Sequence, residues 1–148
     1  MSDQKKPKVI FLCTGNSARS QMAEGLMRHL GGESYEVYSA GLEPKGINPF
    51  AIRAMDEIGI DIRDQASTDV MEYLGRVEFP YLITLCDHAE ANCPRAFLSL
   101  GEHEHWGLQD PAAFAGSEDE KLAVFIEARN DIEGRIREWL AAHGHAST

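Results

Sequence analysis

With 148 residues, 14 Lys and Arg against 24 Asp and Glu, and a formal net charge of −10, the chain suits one domain with a real core and is a poor partner for nucleic acid or an anionic membrane. The polar start MSDQKKPK lacks an apolar secretory region, and no stretch approaches the roughly 18 consecutive apolar residues of a membrane span, so a cytoplasmic protein is expected. Three cysteines in such a chain point to redox, metal or catalytic work rather than a disulfide framework.

The first element is the run Val9, Ile10, Phe11 and Leu12, continuous in the way of a strand buried on both faces of a parallel sheet, and it ends on Cys13. Helical spacing begins after Ala18, with Met22, Leu26 and Leu30 four apart, and Gly31 and Gly32 stop the helix. Between strand and helix lie Thr14, Gly15, Asn16, Ser17, Ala18, Arg19 and Ser20. The backbone N–H groups of a tight loop entering a helix converge on one point, and the helix dipole adds positive potential there. Arg19 adds a planar fork of donors for two oxygens of a tetrahedral oxyanion. The same field favours thiolate over thiol, which makes Cys13 a nucleophile. Ser20, on the first turn, is placed to donate a hydrogen bond to that sulfur.

Downstream, Tyr35 to Ala40 alternates and is rich in strand formers, and a loop with Gly41, Pro44 and Gly46 follows. Asn48 caps a helix with Pro49 at its first position, Ile52, Met55 and Ile58 on one face and Gly59 as its stop. A third helix is expected from a Ser67 or Thr68 cap, with Val70, Tyr73 and Leu74 buried and Gly75 at its end. Tyr81 to Leu85 reads as a buried strand ending on Cys86, and a short strand is expected near His105, Trp106 and Leu108, before Asp110 and Pro111. The last helix carries a Ser117 and Glu120 capping box, with Leu122, Phe125, Ile126, Ile132, Ile136, Trp139 and Leu140 on one face.

Strands alternating with helices at this length imply an α/β fold: one three-layer domain over 1–148, a four-stranded parallel sheet flanked by helices in the flavodoxin-like arrangement, with disordered tails at 1–7 and 144–148. Ligands of such folds bind beyond the carboxyl ends of the strands, where Cys13, Cys86 and Asp110 all fall. No metal is expected, because His103 and His105 near Cys93 fit no standard ligand spacing.

Cys86 and Cys93 stand seven positions apart. On one continuous helix their Cα atoms would be about 10.5 Å apart, beyond the limit of about 7 Å for a disulfide. Two readings remain: unrelated small buried residues, or a redox pair that closes only when the segment unwinds.

The string CTGNSARSQMAE resembles the active-site loop of low-molecular-weight protein tyrosine phosphatases and of the arsenate reductases that share their fold. TLC followed by CP, and HWGLQDP, are similar to segments of the thioredoxin-coupled arsenate reductases, whereas the phosphatases typically carry an aromatic residue where Ala112 and Ala113 follow Pro111. The resemblance runs from Lys8 to about Leu140. It implies that Cys13, Cys86 and Cys93 relay a disulfide while Arg19 holds arsenate and Asp110 donates a proton, with thioredoxin reducing the final disulfide. It also implies a monomer, no tightly bound cofactor, and a potassium ion held in some members at positions matching Asn16, Glu24 and Ser39, with Asp69 as a fourth. Glutathione with glutaredoxin, or another small thiol, replaces thioredoxin in some relatives. Two alternatives stay open: a phosphatase whose extra cysteines protect the nucleophile, and an arsenite or redox sensor without turnover.

Overall fold

The computed structural model describes residues 6–73, 76–92 and 101–143. Four strands, β1 (Lys8–Cys13), β2 (Glu36–Gly41), β3 (Tyr81–Thr84) and β4 (Glu102–His105), form one parallel sheet in the order β2-β1-β3-β4. β1 runs through the centre, with Leu12 registered against Ala40 on one side and Thr84 on the other. That position explains its unbroken apolar composition: Val9, Ile10, Phe11 and Leu12 are fully buried, and burying each such side chain stabilises the fold by roughly 1.5–3 kcal/mol.

The helices are α1 (Arg19–Gly31), α2 (Pro49–Asp56), α3 (Asp87–Asn92) and α4 (Glu118–Ala142). α1 and α2 pack on each other and on α4, while the short α3 packs on β1 and β3. The chain leaves β1 for β2 on one side and returns to β3 on the other, so the strand order reverses between β1 and β3. At that reversal the loops after the two strands diverge and open a crevice at their carboxyl ends, the binding position of doubly wound folds. Cys13 ends β1, and Cys86 lies just beyond β3.

Local chemistry accounts for most boundaries. Asn48 Oδ1 accepts from Phe50 N at 2.8 Å ahead of Pro49, and Ser117 and Glu120 form the reciprocal capping box of α4. Three expectations need correction. The segment after Ser67 forms only a 3₁₀ turn, Val70–Glu72, capped by Asp69 through Met71 N rather than by Ser67 or Thr68. Among its expected buried residues Val70 is buried, while Leu74 and Gly75 lie outside the described residues. Ile58 is 38% exposed, because α2 ends at Asp56 and buries Ala51, Ala54 and Met55 instead. β4 starts earlier than Trp106 and Leu108 suggested. Its sequence EHEH hides its character, since a polar edge strand lacks the apolar run that marks β1. At the start of the chain, Lys6 Nζ donates to Gly32 O and Pro7 O accepts from Glu36 N. The tail expected at 144–148 lies outside the described residues.

Candidate active site

Asn16 is the hub of the loop between β1 and α1. It adopts φ +46°, a left-handed conformation that asparagine tolerates better than most residues. Its side-chain nitrogen donates to Ser20 Oγ at 2.8 Å and to Ser39 Oγ at 2.9 Å, and its side-chain oxygen accepts from Thr68 N at 2.8 Å. Ser39 Oγ in turn donates to Glu24 at 2.5 Å, and Arg28 pairs with that carboxylate at 2.6 Å. Ser20 Oγ lies 2.9 Å from Cys13 Sγ. Ser20 Oγ thus links Asn16 to Cys13, receiving the amide hydrogen of Asn16 and sharing one hydrogen with the sulfur.

Arg19 is held from the far side of the site. Its Nη1 donates to Leu108 O at 3.0 Å and its Nη2 lies 3.8 Å from Asp110 Oδ2. Asp110 Oδ1 caps the 3₁₀ turn Pro111–Ala113 by accepting from Ala112 N at 3.0 Å, leaving the other oxygen toward Arg19. Cys13, Thr14, Gly15, Ser17, Ala18, Arg19, Asp110, Ala112 and Lys45 line a cavity of about 270 Å³. Of the expected oxyanion residues, Asn16 and Ser20 stand behind the loop with no solvent exposure. They support the cradle from beneath rather than face the cavity.

Cys86 borders the same loop. Thr14 Oγ1 lies 3.3 Å from Cys86 Sγ, and Ala89 N donates to that sulfur at 3.4 Å across the first turn of α3. Cys86 O accepts from Glu90 N, so Cys86 stands immediately before α3. Cys93 lies outside the described residues. α3 is fastened to β3 and β4 by polar pairs: Glu90 Oε1 accepts from Thr84 Oγ1 of β3 at 2.6 Å and pairs with His103 Nε2 of β4 at 2.7 Å, and Asp87 pairs with His105 Nε2 at 2.9 Å. Burial pushes the Glu90 carboxyl up, but the bonds from Thr84 and His103 outweigh it and hold the group below the usual carboxylate range.

The residues expected around potassium are next to one another, and Glu24 is buried rather than on a solvated helix face. Burial raises its carboxyl above the ordinary range, against the pull of Ser39 and Arg28. Glu24 and Ser39 offer oxygens that fit a hard cation, but Asn16 commits its side-chain oxygen to Thr68 N, and Arg28 already stands as counter-ion to Glu24. Asp69 spends Oδ1 on its own turn. Among the described residues there is no cluster of three or more His, Cys, Asp or Glu able to hold a metal.

Four participants are not readable from the motif: the carbonyl of Leu108, the hydroxyl of Thr14 as a link to Cys86, the α3 to β4 pairs, and Lys45. Lys45 alone had a signal, since its loop follows β2 and so opens at the same sheet edge as Cys13.

A thiol at the end of a central parallel strand, cradled by a loop, an arginine and a helix start and faced by an aspartate, defines an enzyme class that acts on tetrahedral oxyanions through a cysteine nucleophile. Residues 8–146 match the family described as low molecular weight phosphotyrosine protein phosphatase, and the chain belongs to it. Within that family its similarity is to arsenate reductases. It is 48% identical over 133 residues to the arsenate reductase of Halalkalibacterium halodurans, covering 89% of this chain and 94% of that one. A solved arsenate reductase in a phosphate-binding state superposes with a TM-score of 0.78 at 34% identity, covering 92% of this chain and 98% of the other. The thioredoxin-dependent arsenate reductase of Corynebacterium glutamicum superposes with a TM-score of 0.71 at 27% identity, covering 95% of this chain and 63% of that one.

Proposed function

We propose that this chain is an arsenate reductase that passes a disulfide along Cys13, Cys86 and Cys93 and is recycled by thioredoxin. The observation that carries the reading is the placement of Cys86 Sγ against Thr14, the residue next to Cys13. A thiol at that position is superfluous for ester hydrolysis and is what an intramolecular disulfide relay needs. The similarity to arsenate reductases over most of the chain, one of them thioredoxin-dependent, supports the same reading.

The chemistry begins when arsenate occupies the cradle, with loop N–H groups and Arg19 on its oxygens. Cys13 thiolate attacks arsenic, and Asp110 protonates the departing hydroxide, which leaves as water. Cys86 then attacks the Cys13 sulfur; the sulfur–arsenic bonding pair stays on arsenic, which leaves as arsenite, and a Cys13–Cys86 disulfide remains. Cys93 attacks Cys86 and releases Cys13 as thiolate. The Cys86–Cys93 disulfide finally takes two electrons from the dithiol of thioredoxin. Cys86 immediately precedes α3 and Cys93 follows its last residue in sequence, so a disulfide between them requires this six-residue helix to give up its geometry. A potassium ion, which the resemblance puts at Asn16, Glu24 and Ser39, has no part in this relay, since Arg28 stands against Glu24 and Asn16 Oδ1 accepts from Thr68 N.

The test is NADPH oxidation with arsenate, thioredoxin and thioredoxin reductase, run beside p-nitrophenyl phosphate hydrolysis. The relay requires arsenate-dependent oxidation that disappears on replacing any of the three cysteines by Ser, with Cys93→Ser retaining a single turnover. Ester hydrolysis needing only Cys13 and Arg19, with no arsenate signal, would make the chain a phosphatase; neither activity would make it a sensor.

A further inference from the structure

The cavity at Cys13 has an electrostatic problem. The protein carries a formal charge of −10, and the guanidinium of Arg19, the cation of the cradle itself, is already shared with Leu108 O and Asp110. An incoming arsenate or phosphate is an anion. One guanidinium so engaged, with the loop N–H groups, has to overcome the field of the whole protein.

We propose that Lys45 is the second cation of this site and sets its preference for charged oxyanions. The segment carrying it is fixed to the anion loop by a ladder of backbone bonds: Leu42 N to Cys13 O at 3.3 Å, Glu43 N to Thr14 O at 2.8 Å, Lys45 N to Gly15 O at 2.9 Å and Asn48 N to Ser17 O at 3.0 Å. The stem of Lys45 lies over Gly15, where a Cβ would come within 3.4 Å of Lys45 Cδ and 3.6 Å of its Cγ. A side chain on residue 15 would therefore crowd the lysine against the cavity that both residues line. Lys45 makes no ion pair among the described residues, although the exposed Glu43 stands two positions away. Its charge is thus available to the cavity as a second cation beside Arg19. Lys45 is exposed, so its charge is screened by salt, and at low salt it raises local anion concentration and capture rate.

The proposal rests on the arsenate reductase reading and sharpens it. Arsenate is an anion and arsenite a neutral acid near neutral pH, so Lys45 strengthens substrate binding without retaining product. It takes no part in bond making, and its loss falls on binding rather than on turnover.

The experiment compares Lys45→Met, which keeps the stem, and Lys45→Arg, which keeps the charge, with the unaltered chain. One readout is KM and kcat for arsenate in the thioredoxin-coupled assay at several salt concentrations. A second is the Kd of inorganic phosphate, from protection of Cys13 against iodoacetamide followed on the Cys13 peptide. A third is the ratio of Cys13 alkylation by anionic iodoacetate to that by neutral iodoacetamide. Lys45→Met is expected to raise KM and the phosphate Kd about tenfold, leave kcat within about twofold, flatten the salt dependence and lower the alkylation ratio several-fold. Lys45→Arg should stay within about twofold of the unaltered chain on every readout. Unchanged phosphate binding and salt dependence in Lys45→Met overturn the proposal, as does a Lys45→Arg as defective as Lys45→Met. If the unaltered chain does not turn over arsenate, the reductase reading fails, and the phosphate and alkylation readouts still decide the role of Lys45.

Discussion

Thr14 Oγ1 lies 3.3 Å from Cys86 Sγ, so the residue following Cys13 reaches across the reversal in strand order to the thiol that follows β3. A hydroxyl there, with Ala89 N at 3.4 Å, holds the Cys86 sulfur in position for its attack. Thr14→Val keeps the β-branched shape and removes the bond. It should slow Cys86 attack about tenfold, equivalent to about 1.4 kcal/mol, while formation of the Cys13 adduct is little changed. Rapid-quench detection of the Cys13–Cys86 disulfide checks this; an equal loss in both steps would mean that Thr14 acts on the loop instead.

Ser20 Oγ accepts from Asn16 and lies against the Cys13 sulfur, and Ser20 is expected to be the donor in that contact. Ser20→Ala leaves the amide of Asn16 without one partner and the sulfur without its donor. Alkylation of Cys13 by iodoacetamide at neutral pH should slow about tenfold, and the first step of turnover with it. Unaltered alkylation would place the hydrogen on the sulfur rather than on Ser20.

Asp110 can be tested without disturbing its turn. Its Oδ1 caps Ala112 N, and an asparagine side-chain oxygen does the same. Asp110→Asn should therefore fold normally, keep KM for arsenate and lose about 10²–10³ in kcat, the usual contribution of a positioned proton donor. Steady-state kinetics beside a melting curve separate this from a folding defect, which would lower Tm together with activity.

What was legible in the sequence was what is contiguous in it. The cradle is a strand end, a loop and a helix start within Val9–Ser20, and each part has its own local signature, so its shape could be read before any fold was known. The sheet was legible for a similar reason: β1, β2 and β3 carry strand-forming runs of their own. Residues that matter through distant partners were not. Nothing near Arg19 announces that its anchor is a carbonyl 89 positions away, and Glu24 reads as a surface carboxylate until β2 brings Ser39 over it. EHEH looks like a polar loop, although its histidines fasten α3 to the sheet edge. The short turn at Val70–Glu72 failed as a helix because its few apolar residues could not specify a length.

The α3 fastening gives a pH prediction. Glu90 has a carboxyl held below the usual range by Thr84 and His103 against its burial. A carboxyl lowered in the folded state contributes stability that is complete above its unfolded value and is lost as pH falls through the lower folded value. The unaltered chain should thus melt a few degrees above Glu90→Gln at neutral pH, a difference of about 0.5–1 kcal/mol for a partly exposed pair. The gap should close in acid, through and below the ordinary carboxylate range. Amide exchange over α3 should quicken in the variant at neutral pH. A gap that stays constant or widens on acidification would remove Glu90 as the fastening group.

Two glycines should respond with opposite signs to the same substitution. A Cβ on Gly41, the last residue of β2, would stand 2.7 Å from both Asn16 N and Thr14 O, so alanine there must push the anion loop away from the sheet. Backbone atoms cannot yield as a flexible side chain can, and Gly41→Ala should cost about 1–3 kcal/mol and weaken phosphate binding at the cradle. Gly134 lies inside α4, and a Cβ there meets nothing within 4 Å. Gly134→Ala should stabilise the protein by about 0.4–1 kcal/mol through lower backbone entropy in the unfolded chain, with no effect on phosphate binding. Denaturant midpoints for the two variants, read beside phosphate protection of Cys13, check both signs. A Gly41→Ala protein with unaltered midpoint and phosphate affinity would show that the contact between β2 and the loop has slack, and that the cradle is held from α1 alone.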